Sequence, residues 1–448
     1  MGEIIHYILN LGSAIFLPLV MIIFGLIVRL PLRKAIISGI TLGVAFTGMN
    51  IVVGFMMNTI SPVAQAFVTN TGIQFSTIDV GWSPMASIAW AWPYGLLMFP
   101  LQLGINILFL VLGWTDTLNV DLWNVWGKIF TATMVSYISG SVILGFVAAS
   151  IQVVLELLVG SATQKQIYAL TGIPGITCTH YMVLQAIWMN PVAKLLDKIP
   201  GLNKVSLNAD AMKEKLGIFS ENSVMGFIIG FLLAIFAKYD ISASLNIAMS
   251  VATALVLFPM VANLFMKALA PIADAASTFT KNKFKGREVC IGLDWPFLGG
   301  RSEIWVVSII LVPIEIGLAI LLSKMGFNNV LPLAGIVNII VAVPALIVTK
   351  GNLIKMLILG ILFTPAYLFV ASAFAPACTA LGQAVSTIEI PSGQMITYFG
   401  VEAPLFRYFI SYALAGKLNG IIGIAVFAGL LYWFIKEMKR RDAAEDWK

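Results

Sequence analysis

Long apolar runs dominate this chain, and their length restricts what it can fold into more than any other feature. A bilayer core of about 30 Å needs roughly 20 mostly apolar helical residues, because an unpaired backbone group is costly in lipid. Runs that meet this lie at 11–28, 35–57, 84–113, 129–159, 167–193, 223–237, 242–266, 304–323, 329–348, 353–376 and 418–435, eleven in all. The run at 223–237 is short, and 84–113 is long enough to break at Pro93 or Pro100. Segment 11–28 reads as a retained span, since Met1–Asn10 has no Lys or Arg and the run exceeds a signal h-region. Composition agrees, with 59% hydrophobic and 11% charged residues, against about 25% charged in soluble domains. The 27 Lys+Arg and 21 Asp+Glu cannot coat a water-facing surface of this size. Three cysteines exclude a disulfide scaffold. The expectation is an all-α polytopic membrane protein of about eleven transmembrane helices.

Basic residues set the orientation. Arg29, Arg33 and Lys34 follow the first run and place that end in the cytoplasm, with the N-terminus outside. Lys436, Lys439, Arg440 and Arg441 place the C-terminus inside. Opposite sides require an odd number of crossings, in agreement with eleven. The polar stretch Lys194–Asn222 also falls inside and is a candidate surface for a soluble partner.

The string Ser61-Pro62-Val63-Ala64-Gln65-Ala66 recurs as Ala270-Pro271-Ile272-Ala273-Asp274-Ala275. Each copy follows a pair of spans and precedes a short segment with Asp near Trp, Asp79–Trp82 in one half and Asp294-Trp295 in the other. The first copy's following loop has no Lys or Arg, whereas the second has Lys281, Lys283, Lys285 and Arg287. Equivalent segments then face opposite sides of the membrane, the signature of an inverted repeat in a transporter. The expected division is a five-helix repeat over 1–193, a cytoplasmic linker over 194–222, an inverted five-helix repeat over 223–376, an extracytoplasmic or re-entrant segment over 377–417, and a final helix with a basic tail over 418–448. Asp79–Trp82 and Gly292–Gly300 are the expected re-entrant hairpins, because non-helical backbone survives at depth only where protein buries it or it lines a cavity.

Several strings resemble one known family. Asn119-Val120-Asp121-Leu122-Trp123-Asn124-Val125-Trp126, Asp197-Lys198-Ile199-Pro200-Gly201-Leu202-Asn203-Lys204, Gly292-Leu293-Asp294 and Lys350-Gly351-Asn352-Leu353 are similar to the IIC membrane component of galactitol-type bacterial phosphotransferase systems, in the ascorbate/galactitol superfamily. The resemblance implies a homodimeric, elevator-type permease of the bacterial inner membrane, whose scaffold and core domains each mix parts of both repeats. It further implies import of a galactitol-like polyol or sugar, with separate IIA and IIB subunits supplying the phosphoryl group, IIB through a phosphocysteine. The membrane chain is then one subunit of a phosphotransferase complex, with the donor residue elsewhere and no cofactor of its own. Departures from the family pattern at Thr179-His180, Gly127-Lys128, Trp295-Pro296 and Glu315 bear on which polyol is taken.

A polyol site needs carboxylate, amide and imidazole groups beside an aromatic face. His180, one of two histidines with His6, sits in a polar patch with Thr177, Thr179 and Gln185 and matches the family's His. His180 and Asp294 are the candidates for a base acting on the substrate hydroxyl. Asp79, Trp82, Asp121, Asn124, Trp126, Thr177 and Gln185 join them as candidate binding residues. Asp121 reads equally as a helix cap, and Trp123 and Trp126 equally as interfacial belt residues. Glu315 reads either as a contact between helices or as a cavity residue, and Glu402 and Arg407 read as a mutual pair. Gly39-xxx-Gly43 and Gly226-xxx-Gly230 read as close-packing spacings. No phosphate loop, zinc spacing or nucleophile elbow is present, and Cys178, Cys290 and Cys378 read as inert. An ion-coupled transporter releasing unmodified solute, or a non-transporting sensor, would share this architecture.

Overall fold

The computed structural model describes residues 13–69, 75–121, 123–200, 202, 221–283, 289–332, 334–385, 390 and 392–445. His6, most of the 194–222 linker, and Lys285 and Arg287 lie outside the described residues. In chain order the elements are α1 (Ser13–Ile27), α2 (Leu32–Thr69), β1 (Thr77–Asp79), α3 (Trp82–Trp90), α4 (Met98–Leu112), β2 (Thr117–Asn119), α5 (Trp126–Ser139), α6 (Val142–Thr171), β3 (Ile176–Cys178) and α7 (Gln185–Leu196). They continue with α8 (Asn222–Phe236), α9 (Ile241–Lys283), β4 (Cys290–Leu293), α10 (Ser302–Lys324), β5 (Val330–Leu331), α11 (Ile339–Thr349), α12 (Leu353–Val385), β6 (Met395–Thr397), α13 (Pro404–Leu414) and α14 (Leu418–Ala443). Seven helices among the described residues are long and apolar enough to cross a membrane, and the chain is a multi-pass membrane protein.

Several expected continuous runs are interrupted, each for a local reason. The 84–113 run breaks between α3 and α4 at Pro93, where the ring removes a backbone donor. The 129–159 run is two helices: Gly140, in the left-handed region at φ 72°, ends α5, and Ser141 caps α6 by accepting from Leu144 N. The 167–193 run is not one helix either. α6 ends at Gly172, Pro174 and Gly175 follow, and the chain passes through β3 before α7 begins. In the 329–348 run, helix starts only at Ile339, where the Asn338 side chain caps it from 3.1 Å. The 377–417 segment holds a helix of its own, α13.

The short strands form two parallel three-stranded sheets, ordered β5-β1-β6 and β2-β4-β3. Each sheet takes its central strand from one half of the chain and its flanking strands from the other. The spacing also matches: Thr77 leads to Thr117 over the same length of chain as Cys290 to Val330. Pairing across the halves continues past the strand ends, with Val80 N on Thr397 O at 3.0 Å and Thr179 N on Leu293 O at 3.0 Å. Non-helical backbone buried in the molecule is thereby hydrogen-bonded. Both small-residue spacings pack helices together. A Cβ on Gly43 would meet Ala14 O of α1 at 2.8 Å, and a Cβ on Gly230 would meet Ala248 Cα of α9 at 2.9 Å.

Candidate functional site

Five chain turns that leave the two sheets converge on one cavity of about 380 Å³, a size suited to a small organic solute. Val80, Gly81 and Trp82 follow β1, and Asp294, Trp295 and Pro296 follow β4. Asn124 and Trp126 reach it from the turn after β2, His180 from the turn after β3, and Tyr398 and Glu402 from the turn after β6. The wall is aromatic with a few polar groups, as the expected chemistry requires.

His180 and Asp294 come together. His180 Nδ1 accepts a hydrogen bond from Met182 N at 3.3 Å, which leaves the ring proton on Nε2. Nε2 lies 3.7 Å from Asp294 Oδ1, so the imidazole N–H faces the carboxylate. The imidazole stacks on Tyr181 at 4.2 Å, which fixes its plane. Asp294 caps the turn that follows it by accepting from Trp295 N at 2.7 Å. Both groups sit on turns outside the spanning helices. Burial, with Lys128 and Arg407 adding to it, holds the imidazole well below its usual range. Burial and the neighbouring Asp121 push the Asp294 carboxyl well above its usual range.

Asn124 and Trp126 also reach the cavity, linked by a bond from Trp126 Nε1 to Asn124 Oδ1 at 3.2 Å. Trp126 is only 2% exposed and lies 6.0 Å from the Tyr398 ring, so it is a wall of the cavity and not a membrane-belt residue. Trp82 lines the cavity with a partly exposed ring. Four other candidates stand away from this wall. Asp79 accepts three backbone N–H groups, from Gly81 at 3.1 Å, Gly335 at 3.0 Å and Phe399 at 3.1 Å. Asp121 accepts from Asn124 N at 3.2 Å and Asn124 Nδ2 at 2.8 Å, so its cap reading describes its contacts. Thr177 donates to Gly160 O at 2.7 Å within β3. Gln185 is buried at the start of α7, and neither atom of its amide has a hydrogen-bond partner.

The remaining polar groups correct one sequence reading, decide another and add a pair that the sequence reading missed. Arg407 does not take Glu402. Its guanidinium donates to Val401 O at 2.8 Å, Gly127 O at 2.9 Å and Thr131 Oγ1 at 3.0 Å. Glu402 instead accepts from the Tyr398 hydroxyl at 2.7 Å. Behind Asn124, Lys128 and Glu156 form a buried ion pair at 2.6 Å, with Gln152 bonding the same carboxylate at 2.8 Å. A glutamate inside the 129–159 apolar run and a lysine at its start were the available sequence signal. Glu315 bonds Asn338 at 2.6 Å and Thr364 at 3.1 Å, so it joins α10 to α11 and α12.

Comparison with known proteins fits this geometry. Residues 7–393 match the family of PTS system sugar-specific permease components, EIIC-GAT. The galactitol-specific EIIC component of the PTS system of Escherichia coli (strain K12) is 31% identical over 376 residues, covering 83% of this chain and 82% of that protein. Its counterpart in Escherichia coli O157:H7 matches to the same extent. A provisionally named permease IIC component of Escherichia coli (strain K12) is 30% identical over 444 residues, 98% of this chain and 99% of that one. With a match over nearly its whole length and the converging turns in place, the chain belongs to the EIIC-GAT family of sugar-specific permease components of the phosphotransferase system.

Proposed function

We propose that this permease imports a galactitol-like polyol and holds it in the 380 Å³ cavity for phosphorylation by a separate IIB subunit. The observation that carries this reading is the His180–Asp294 pair, set on turns from the two halves of the chain and facing the same cavity as Asn124, Trp126 and Trp82. The Nδ1 of His180 is occupied by the Met182 N–H, so the proton acceptor in this reading is Asp294. The Nε2–H of His180 orients it. A substrate hydroxyl attacks the phosphorus carried on the IIB cysteine, the new O–P bond forms as the S–P bond breaks, and the hydroxyl proton passes to Asp294. Its raised proton affinity makes Asp294 a stronger base than an exposed carboxylate. Import becomes irreversible because the charged product cannot recross an apolar barrier.

The architecture in this reading has eleven crossings: α1, α2, α4, β2 with α5, α6, α8, α9, α10, β5 with α11, α12 and α14. The segments β1–α3, β3–α7, β4–Gly300 and β6–α13 are re-entrant. The interleaved sheets support two inverted repeats, since each central strand belongs to the half opposite its neighbours. Lys194 pairs with Glu437, Lys355 with Asp197 at 2.6 Å, and Arg441 with Val348 O at 3.1 Å. These contacts gather the start of the 194–222 linker and the end of α14 on one face, in keeping with a cytoplasmic side for both and an N-terminus outside. The arm α1, α2, α8 and α9 would be the scaffold and dimer contact in the bacterial inner membrane. The remaining elements would be the core that moves. The two sheets favour movement of that core as one body, because shifting a single hairpin would break ladders shared between the halves.

The test is uptake of labelled galactitol into cells or vesicles with and without the IIB partner. The expected result is galactitol phosphate inside only when IIB is present. Free galactitol accumulating without IIB would refute the reading in favour of secondary transport.

A further inference from the structure

Glu402 remains unexplained by the base chemistry assigned to His180 and Asp294. It lines the cavity, is 5% exposed, and sits in the turn between β6 and α13. One carboxylate oxygen takes the Tyr398 hydroxyl at 2.7 Å, and the other, Oε2, is buried with no hydrogen-bond partner. A buried acceptor without a donor costs the full desolvation of that group. Arg407 offers that oxygen no hydrogen bond and acts on Glu402 only through its charge, because its donors are directed to Val401 O, Gly127 O and Thr131. The backbone beside Glu402 is also held in an unusual state. Ala403 is in the left-handed region at φ 55°, followed at once by Pro404 as the first residue of α13. Strain of this kind persists where the surrounding structure fixes one side-chain direction.

The geometry points to Glu402 as a second substrate-binding carboxylate, whose free oxygen accepts a hydroxyl of the polyol. This rests on the polyol reading above and adds its specificity. Asp294 and Glu402 are the acidic residues lining the cavity, and no Lys or Arg lines it among the described residues. A neutral polyol brings the hydroxyl donors that these acceptors lack. A sugar acid, or the phosphorylated product, brings further acceptors and negative charge, which such a wall disfavours. The same residue then selects the neutral substrate and helps expel the product.

The experiment is calorimetric binding to purified protein in detergent, with galactitol, 1-deoxygalactitol and galactonate as probes. The variant is Glu402→Gln, which keeps the shape and an acceptor for Tyr398. Wild type is expected to bind galactitol more tightly than 1-deoxygalactitol and to exclude galactonate. Burial raises the Glu402 carboxyl to about 8, so binding is measured above that pH. There Glu402→Gln is expected to bind galactitol about 10- to 100-fold more weakly, the range for loss of a hydrogen bond to a charged group. It is also expected to lose the preference over 1-deoxygalactitol. A purely structural role would lower stability without moving that ratio. Affinity within twofold of wild type, or an unchanged ratio, overturns the assignment while leaving the polyol reading intact. Failure of wild type to bind any hexitol overturns the polyol reading, and this assignment with it. Should Glu402→Gln not yield folded protein, Glu402→Asp draws the carboxylate back by one methylene and reads the same ratio.

Discussion

The buried pair of Lys128 and Glu156 permits a prediction whose size follows from its surroundings. The two charges lie 2.6 Å apart with side chains 1% and 0% exposed. Replacing Lys128 with Met keeps most of the stem volume, so the packing change is small. What is lost is the charge that neutralises Glu156, whose remaining partner is Gln152 at 2.8 Å. Breaking a buried pair by removing one member costs about 3–5 kcal/mol, because the other charge is left uncompensated. Replacing both with neutral groups of similar shape is often neutral or stabilising. The prediction is therefore a sign pattern as well as a magnitude. Lys128→Met alone should lower the unfolding free energy by about 3–5 kcal/mol. The Lys128→Met/Glu156→Gln double variant should return to near wild type, with the introduced amide oxygen still accepting from Gln152. Unfolding of wild type, Lys128→Met, Glu156→Gln and the double variant in detergent, followed by tryptophan fluorescence, closes the double-mutant cycle. The reasoning is refuted if the single variant is as stable as wild type, or if the double variant falls as far as the single.

Three further outcomes are expected. His180→Ala should abolish galactitol phosphorylation while leaving folded protein in the membrane, read by uptake beside size-exclusion chromatography; normal transport would remove His180 from the mechanism. For Asp294 the working form of the base is deprotonated, so phosphorylation should rise with pH through a titration above the ordinary carboxylate range. Asp294→Asn should lower the rate by about 10²- to 10⁴-fold and flatten that limb; a variant with the same pH profile would argue against a base there. Gly292→Ala should disrupt the β2-β4-β3 sheet, since its Cβ would lie 2.8 Å from Thr179 Oγ1 and 3.1 Å from Thr117 Cγ2. Its cost should reach about 1–3 kcal/mol, the range for overpacking, with substrate binding lost in proportion. A variant as stable and active as wild type would mean that the sheet tolerates a wider spacing.

The long spans were legible because length and apolarity are carried by each segment alone. Helices such as α9, α10 and α12 fall on runs marked by hydropathy, because lipid demands an internally bonded helix there. The interruptions were less legible. Pro93 signals its break through a missing donor, but Gly140 looks like any membrane glycine until its φ of 72° is known. The strands were not legible. They are two to four residues long, too short for an alternating pattern, and their partners lie in the other half of the chain. The cavity was partly legible, since His180, Asp294, Asn124, Trp82 and Trp126 carry recognisable polyol chemistry in apolar surroundings. Glu402 was obscured by Arg407, a charge complement nearby in sequence that the fold directs to backbone carbonyls instead.

Asp79 and Asp294 illustrate the limit most clearly. Each stands near a Trp at the end of a central strand, and local sequence makes them look alike. Asp79 is the last residue of β1, and Asp294 is the first residue beyond β4. That difference directs one carboxylate to backbone and the other to the cavity. Two of the donors to Asp79, Gly335 N and Phe399 N, lie 256 and 320 residues away, and with Gly81 N they hold the β1 turn against both flanking segments of the other half. Asp294 has one such backbone donor, the adjacent Trp295 N, and its remaining contacts are with the Asn124 amide, His180 and the cavity. A carboxylate fixed by three backbone donors has less acceptor capacity left for a solute than one with a single backbone donor. The two-halved architecture thus makes its chemistry unequal. One acidic turn fastens the halves together, and the other opens on the cavity.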